Sequence, residues 1–286
     1  MEAEWTSTRR RVNGVDLHVV EAGPTDGPLA VLLHGFPDFW WSWRSLIPAL
    51  VGRGFRVVAP DQRGYNLSDR PRAIEAYRLN ELVGDVTALV DAYGRDTFAL
   101  VGHDWGGIVA WEVALRFAER VRRLVVIDAP LLDTVSPVVR RHPSQALRSA
   151  YVAVFQLPRV PETLLAARRF ALLKRAMVAA SGPGVFSPAD LDRYVEAWSR
   201  PGALTAMLAW YRALRFFRPM GRGRVLPPVL VIWGGRDPFL DRHLYQASLD
   251  RCAHGQGLFL ADTGHWPHLE VPAMVEQEII QFIGTT

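Results

Sequence analysis

Phe98-Ala99-Leu100-Val101-Gly102-His103-Asp104-Trp105-Gly106-Gly107 is the stretch from which the rest of the chain can be read. Its apolar start has the look of a buried strand, and a helical pattern follows over residues 108–118. Between the two lies small-x-Asp-x-small, the form of a sharp strand-to-helix turn that lifts one side chain above a sheet. Such a turn is strained and crowds its neighbours, so residues 102 and 106 have to be small. The lifted residue is Asp104. Taken alone, the spacing also fits an ordinary N-cap aspartate, and the surrounding motifs must separate the two readings.

On both sides of this turn, short β runs alternate with helical patterns. Strands are expected at Leu29–Leu33 and residues 55–59, 97–101 and 123–127, with helices at 43–51, 80–93 and 108–118. This alternation implies an α/β chain with a parallel sheet covered on both faces. Near the start, Asn13-Gly14 separates two β runs, a strong hairpin signal. After Pro130 the alternation stops, and to about Arg224 the pattern is helical with proline breaks. Within it, Ser187-Pro188-Ala189-Asp190 marks a helix start that should run to Trp198. Strands at 229–233 and 257–260 and helices at 241–252 and 273–283 then resume the β/α order. The expected organisation is a core domain of residues 1–135 and 223–286, interrupted by a helical insertion of residues 136–222.

In this architecture the nucleophile is followed in sequence by an acid and then a histidine, each at a strand end. Trp233-Gly234-Gly235-Arg236-Asp237-Pro238 supplies the acid, and Thr263-Gly264-His265-Trp266 the imidazole. Asp237 would orient the ring and stabilise its charged form. Rivals exist: Asp128 also follows a strand, Asp237 itself also fits a cap of the next helix, and His103 and His268 lie close in sequence to the motif residues. His265 is preferred because it combines a strand end with a preceding glycine. The segment Leu33-His34-Gly35-Phe36-Pro37 allows the N–H of Phe36 to converge with that of Trp105, giving two donors for an oxyanion. His34 is expected to hold that loop.

Composition narrows the function classes. With 286 residues, 49% of them hydrophobic, the chain has enough apolar material for one large core plus an insertion. No stretch approaches the ~20 apolar residues of a membrane span, and no apolar run follows the charges of MEAEWTSTRRRV, so an export signal is not expected. Cys252 is the only cysteine, which excludes an internal disulfide and fits a reducing compartment, the cytoplasm by default. The net charge of +4 is spread over scattered arginines with Lys174 the single lysine, a pattern that argues against a nucleic-acid partner.

These segments resemble the soluble epoxide hydrolase family of α/β-hydrolases over nearly the whole chain. The similarity is carried by the run from His34 to Arg44, by Asp61-Gln62-Arg63-Gly64-Tyr65 with Ser68-Asp69, and by Gly102 to Gly107. It implies the α/β-hydrolase fold, a mostly parallel eight-stranded sheet flanked by helices, with the insertion as a helical cap. It further implies that Asp104 attacks an epoxide carbon to form an ester, which water activated by His265 and Asp237 then hydrolyses to a diol. The family places two tyrosines in the cap to bind the epoxide oxygen. Tyr151 in Tyr151-Val152-Ala153-Val154-Phe155 and Tyr211 in Ala209-Trp210-Tyr211-Arg212 are similar to these, although Ala209 stands where an asparagine is usual. Tyr194 is the reserve. Phe36, Trp40, Trp41, Trp105, Phe155 and Trp210 are expected as walls for an apolar substrate. No cofactor or metal is expected, and the protein should be a monomer or homodimer with a small apolar epoxide and water as its only partners. Two alternatives stand beside this: a haloalkane dehalogenase with the same Asp-His-Asp set, for which Trp105 matches one halide donor but Phe36 replaces the usual second, and a ligand-binding homologue without activity.

Overall fold

The computed structural model describes residues 5–218 and 223–284. The chain opens with a hairpin, Thr6–Val12 (β1) and Val15–Ala22 (β2), across Asn13-Gly14. Both turn residues have positive φ, 45° and 79°, the twist that a two-residue hairpin turn demands. Six more strands follow: Leu29–Leu33 (β3), Arg56–Pro60 (β4), Phe98–His103 (β5), Val121–Ile127 (β6), Val225–Gly234 (β7) and Cys252–Leu260 (β8). They form an eight-stranded sheet in the order β1-β2-β4-β3-β5-β6-β7-β8. Only β1–β2 and β2–β4 are antiparallel.

Because successive strand residues point to opposite faces, each apolar strand feeds two cores. Ala30, Leu32, Val57, Val101 and Val125 pack against Leu46–Val51 (α1) and Pro272–Gly284 (α12). Val31, Leu33, Leu100, Leu124 and Val126 pack against Leu79–Ala92 (α2), Trp105–Arg116 (α3) and Arg242–Leu249 (α10). Strand β3 is buried throughout, as a central parallel strand covered on both faces must be. The chain leaves β3 toward β4 on one side and returns as β5 on the other. A crevice therefore opens at the carboxyl ends of β3 and β5, where strand order reverses.

Between β6 and β7, the described residues contain no strand but six helices: Leu132–Arg141 (α4), Ser144–Arg148 (α5), Ala150–Phe155 (α6), Val160–Ala179 (α7), Pro188–Trp198 (α8) and Ala203–Ala213 (α9). At the start of α8, the Ser187 side chain accepts the Asp190 N–H at 3.1 Å and Asp190 accepts the Ser187 N–H at 3.1 Å, a reciprocal cap. The expected boundary at residue 222 falls at 219–222, outside the described residues. Helix α7 is broken at Arg168, Arg169 and Phe170, whose φ values of 52°, 53° and 58° are left-handed although none of the three is a glycine.

Two expected helices begin elsewhere. In place of a helix over 43–51, Trp40–Trp43 forms a 3-10 turn, with the Trp40 N–H bound by Asp61 and Ser42 bound by His268, and α1 begins only at Leu46. Helix α3 starts at Trp105, three residues before the expected position, and so takes in Gly106 and Gly107. The last helical elements are Pro267–Glu270 (α11) and α12. Among the described residues, no helix is long and apolar enough to cross a membrane.

Candidate active site

The crevice at β3 and β5 holds Asp104. Its backbone has φ 48° and ψ −120°, a strained conformation for a residue with a side chain. The surroundings account for its persistence. A Cβ on Gly106 would run into the Leu33 carbonyl, and one on Gly102 into the Gly106 carbonyl, so β3, β5 and α3 meet at backbone distance. The loop after β3 is drawn in likewise, since a Cβ on Gly35 would strike Asp104. This close approach brings the Phe36 N–H to Asp104 Oδ1 at 2.7 Å, and the Trp105 N–H also donates to the carboxylate.

Beyond β7 and β8, Asp237 and His265 meet. The His265 Nδ1 lies 2.7 Å from Asp237 Oδ2, and its Nε2 lies 3.7 Å from Asp104 Oδ2. The other Asp237 oxygen accepts the N–H groups of Phe239 and Leu240 at 2.6 and 3.0 Å. The main-chain N–H of His265 reaches the Ala180 carbonyl at the end of α7, 2.8 Å away, so the insertion helps seat the imidazole. Asp128, the rival acid, spends one oxygen on the Gly234 N–H at 2.9 Å and leaves the other without a partner. Burial pushes its carboxyl well above the usual range, assisted by the charge of Asp237.

Charge in this cluster is set by burial working against close opposite charges. Burial alone would lower the His265 pKa, but the Asp237 carboxylate, followed by Asp104 and Asp128, raises it to about 10. Asp104 is raised by burial, with His265, His103 and the two backbone donors opposing the shift. The carboxyl groups on either side of the ring thus favour its protonated form.

A cavity of about 260 Å³ stands above Asp104 and His265, and both Tyr151 and Tyr211 line it. Their rings lie 6.0 Å apart. Tyr211 also packs edge-on to Phe36 at 5.2 Å and to Trp105 at 5.1 Å. Burial, with the nearby Asp104 charge adding to it, lifts both phenols above their ordinary pKa, so they remain protonated donors at neutral pH. The rest of the wall is apolar, with Phe36, Phe155, Leu165, Leu173 and Met177.

Some expected wall residues lie elsewhere. Trp40 and Trp41 pack edge-on to each other and to Trp5 beside the 3-10 turn, away from the cavity. Trp210 faces the opposite way on α9, donating its indole N–H to the Arg63 carbonyl at 3.0 Å. Trp105 contributes its backbone N–H, while its indole is engaged with Tyr211. Tyr194, the reserve, is fully buried and donates to Asp38 Oδ1 at 2.7 Å. His34 accepts the Gln62 N–H at 3.0 Å and reaches the Gly35 carbonyl at 2.9 Å, holding the loop as expected.

Comparison with known proteins is consistent with this geometry. Residues 28–272 match the alpha/beta hydrolase fold family. The AB hydrolase superfamily protein YfhM of Bacillus subtilis is 43% identical over 95% of each chain. Epoxide hydrolase 4 of Mus musculus is 34% identical over 96% of this chain and 78% of its own length. A crystal structure of Bacillus megaterium epoxide hydrolase in complex with an inhibitor superposes with a TM-score of 0.89 at 30% identity, covering 97% of this chain and 100% of that one. The chain belongs to the epoxide hydrolase family of α/β-hydrolases. Within this family member, sequence reasoning passed over one buried cluster behind the site. Asp38 accepts the Trp266 indole N–H at 2.9 Å and faces His103 at 3.5 Å, while His103 Nε2 donates to the His265 carbonyl at 2.8 Å. The signal was the carboxylate in the apolar run Phe36 to Phe39, where an unpartnered charge is not tolerated.

Proposed function

We propose that this chain hydrolyses small apolar epoxides to vicinal diols in two covalent steps. The observation that carries the reading is a carboxylate at the tip of a strained turn, facing two buried phenols across one apolar cavity. Asp104 Oδ1 is occupied by the Phe36 N–H, which leaves Oδ2 to attack an epoxide carbon. As the ester bond forms, the ring C–O bond breaks, and the oxygen takes a proton from Tyr151 or Tyr211, without which an alkoxide leaves poorly. With Asp104 neutral in the ester, the His265 imidazolium returns a proton to the tyrosinate, and the freed ring takes one proton from water as it adds to the Asp104 carbonyl carbon, with Asp237 supporting the ring's charge. As the ester C–O bond breaks, the diol oxygen takes that proton from His265, and the carboxylic acid left on Asp104 gives its own proton to the ring. The Phe36 and Trp105 N–H groups hold the oxyanion until the diol leaves. In this reading residues 136–222 are a cap, and residues 1–135 and 223–286 the core beneath it.

One turnover in heavy-oxygen water, with enzyme in excess, tests the scheme. The first diol should carry an unlabelled oxygen from Asp104, and the label should appear in that side chain. Label found directly in the diol means single-step attack by water and rejects the covalent mechanism. Bromide release from a bromoalkane with no diol from styrene oxide would instead favour a dehalogenase.

A further inference from the structure

The loop from Asp237 to Asp241 is held from above by α5, a five-residue helix of the insertion. Gln145, 1% exposed, accepts the Asp241 N–H at 2.7 Å and donates to the Phe239 carbonyl at 3.0 Å and to Ser149 Oγ at 2.8 Å. The Arg148 guanidinium donates to the Asp237 carbonyl, and Ser144 Oγ donates to Asp241 Oδ2 at 2.8 Å. Three backbone polar groups of a five-residue loop are thus satisfied by one short helix, and a buried group left unpaired is costly enough to move the loop. Helix α6 follows α5 almost directly and carries Tyr151, whose ring lies 5.8 Å from that of Phe239 in the same loop. The run of residues 144–151 therefore touches the carboxylate loop at one end and the cavity at the other.

We infer that Gln145 and Arg148 are positioning residues for Asp237, coupling the seating of the insertion to the orientation of the His265 ring. This rests on the reading of Asp237 as the partner of a base, and it adds that the base works only while α5 is docked. Since Asp104 and the two tyrosines make the ester while Asp237 and His265 remove it, loss of the α5 bonds should act on the second half-reaction alone.

The test is single-turnover kinetics with styrene oxide on Gln145→Leu and Arg148→Met, with Arg148→Lys as the conservative control. The rate of ester formation and kcat/KM should stay within about twofold of wild type, ester hydrolysis should slow ~10-fold or more, and Arg148→Lys should recover most of the loss. The Arg148 side chain is 36% exposed, so Arg148→Met carries the test even where Gln145→Leu fails to fold. Unchanged hydrolysis in both variants overturns the inference, as does a parallel fall in ester formation, which would reduce α5 to general support of the insertion. Asp237→Asn is run alongside: if it hydrolyses the ester at the wild-type rate, the role given to Asp237 has failed, whatever the α5 variants do.

Discussion

Replacing Asp104 by asparagine gives a direct measure of the charge balance around His265, because an amide resembles the neutral ester that the mechanism requires. His265 Nε2 lies 3.7 Å from Asp104 Oδ2, both side chains are largely enclosed, and the ring holds its proton to about pH 10. At an effective dielectric near 20, unit charges at that separation interact by about 4.5 kcal/mol, equivalent to roughly three pH units. The Asp104→Asn variant should therefore bring the His265 pKa from about 10 toward about 7, with Asp237 supplying the elevation that remains. Under the proposed mechanism, esterification of Asp104 would produce the same fall and turn the protonated ring into a competent base once the first bond is made. Proton NMR of the His265 Cε1–H across pH, assigned by a His265→Gln control, reads this shift. A His265 that titrates at the same pH in Asp104→Asn and wild type would falsify the electrostatic account, since no charge at position 104 would then be felt by the ring.

Tyr151→Phe and Tyr211→Phe should each slow ester formation ~10-fold or more while leaving the fold intact, and unchanged rapid-quench rates in both would remove the phenols from the mechanism. Gly106→Ala places a methyl group against the Leu33 and His34 carbonyls and should cost about 3 kcal/mol or more, read as a lowered denaturation midpoint or loss of soluble protein; an unaltered midpoint would show that the turn tolerates a Cβ. For Asp38, burial raises the pKa, but His103, Trp266 and Tyr194 bring it down to about 2. Relative to an ordinary 3.8, this corresponds to about 2.5 kcal/mol of stability that is present above pH 3.8 and lost as pH falls through about 2. Urea unfolding of Asp38→Asn should show that deficit at pH 7 and a much smaller one at pH 2, and equal deficits at both would mean that packing rather than charge is responsible.

The parts of the site legible in sequence are those where backbone crowding restricts the residue. Gly102 and Gly106 announce the turn because no larger residue fits, and Asp237 and His265 follow at strand ends as the sheet topology requires. Hydrophobic pattern, in contrast, says that a tryptophan is buried without saying where. Trp40, Trp41 and Trp210 look equally fit to line a cavity, yet the first two pack with Trp5 and the third is turned by its bond to the Arg63 carbonyl. The left-handed break at Arg168 to Phe170 carries no glycine or proline and so left no local trace. Gln145, Arg148 and Asp38 act through partners about 90 or more residues away, a relation that only the folded chain displays.

The position of β7 and β8 at the far side of the sheet has a consequence for synthesis on the ribosome. When residues up to 218 have emerged, the turn at Asp104 and helices α4 to α9 have been made, but β6 has no outer neighbour. Its segment from Leu124 to Ile127, entirely buried in the finished protein, is then a bare apolar edge able to pair with another nascent chain. Pairing of β7 covers that edge, and the loops after β7 and β8 carry Asp237 and His265. Protection of the β6 edge and the meeting of Asp237 with His265 thus depend on the same part of the chain.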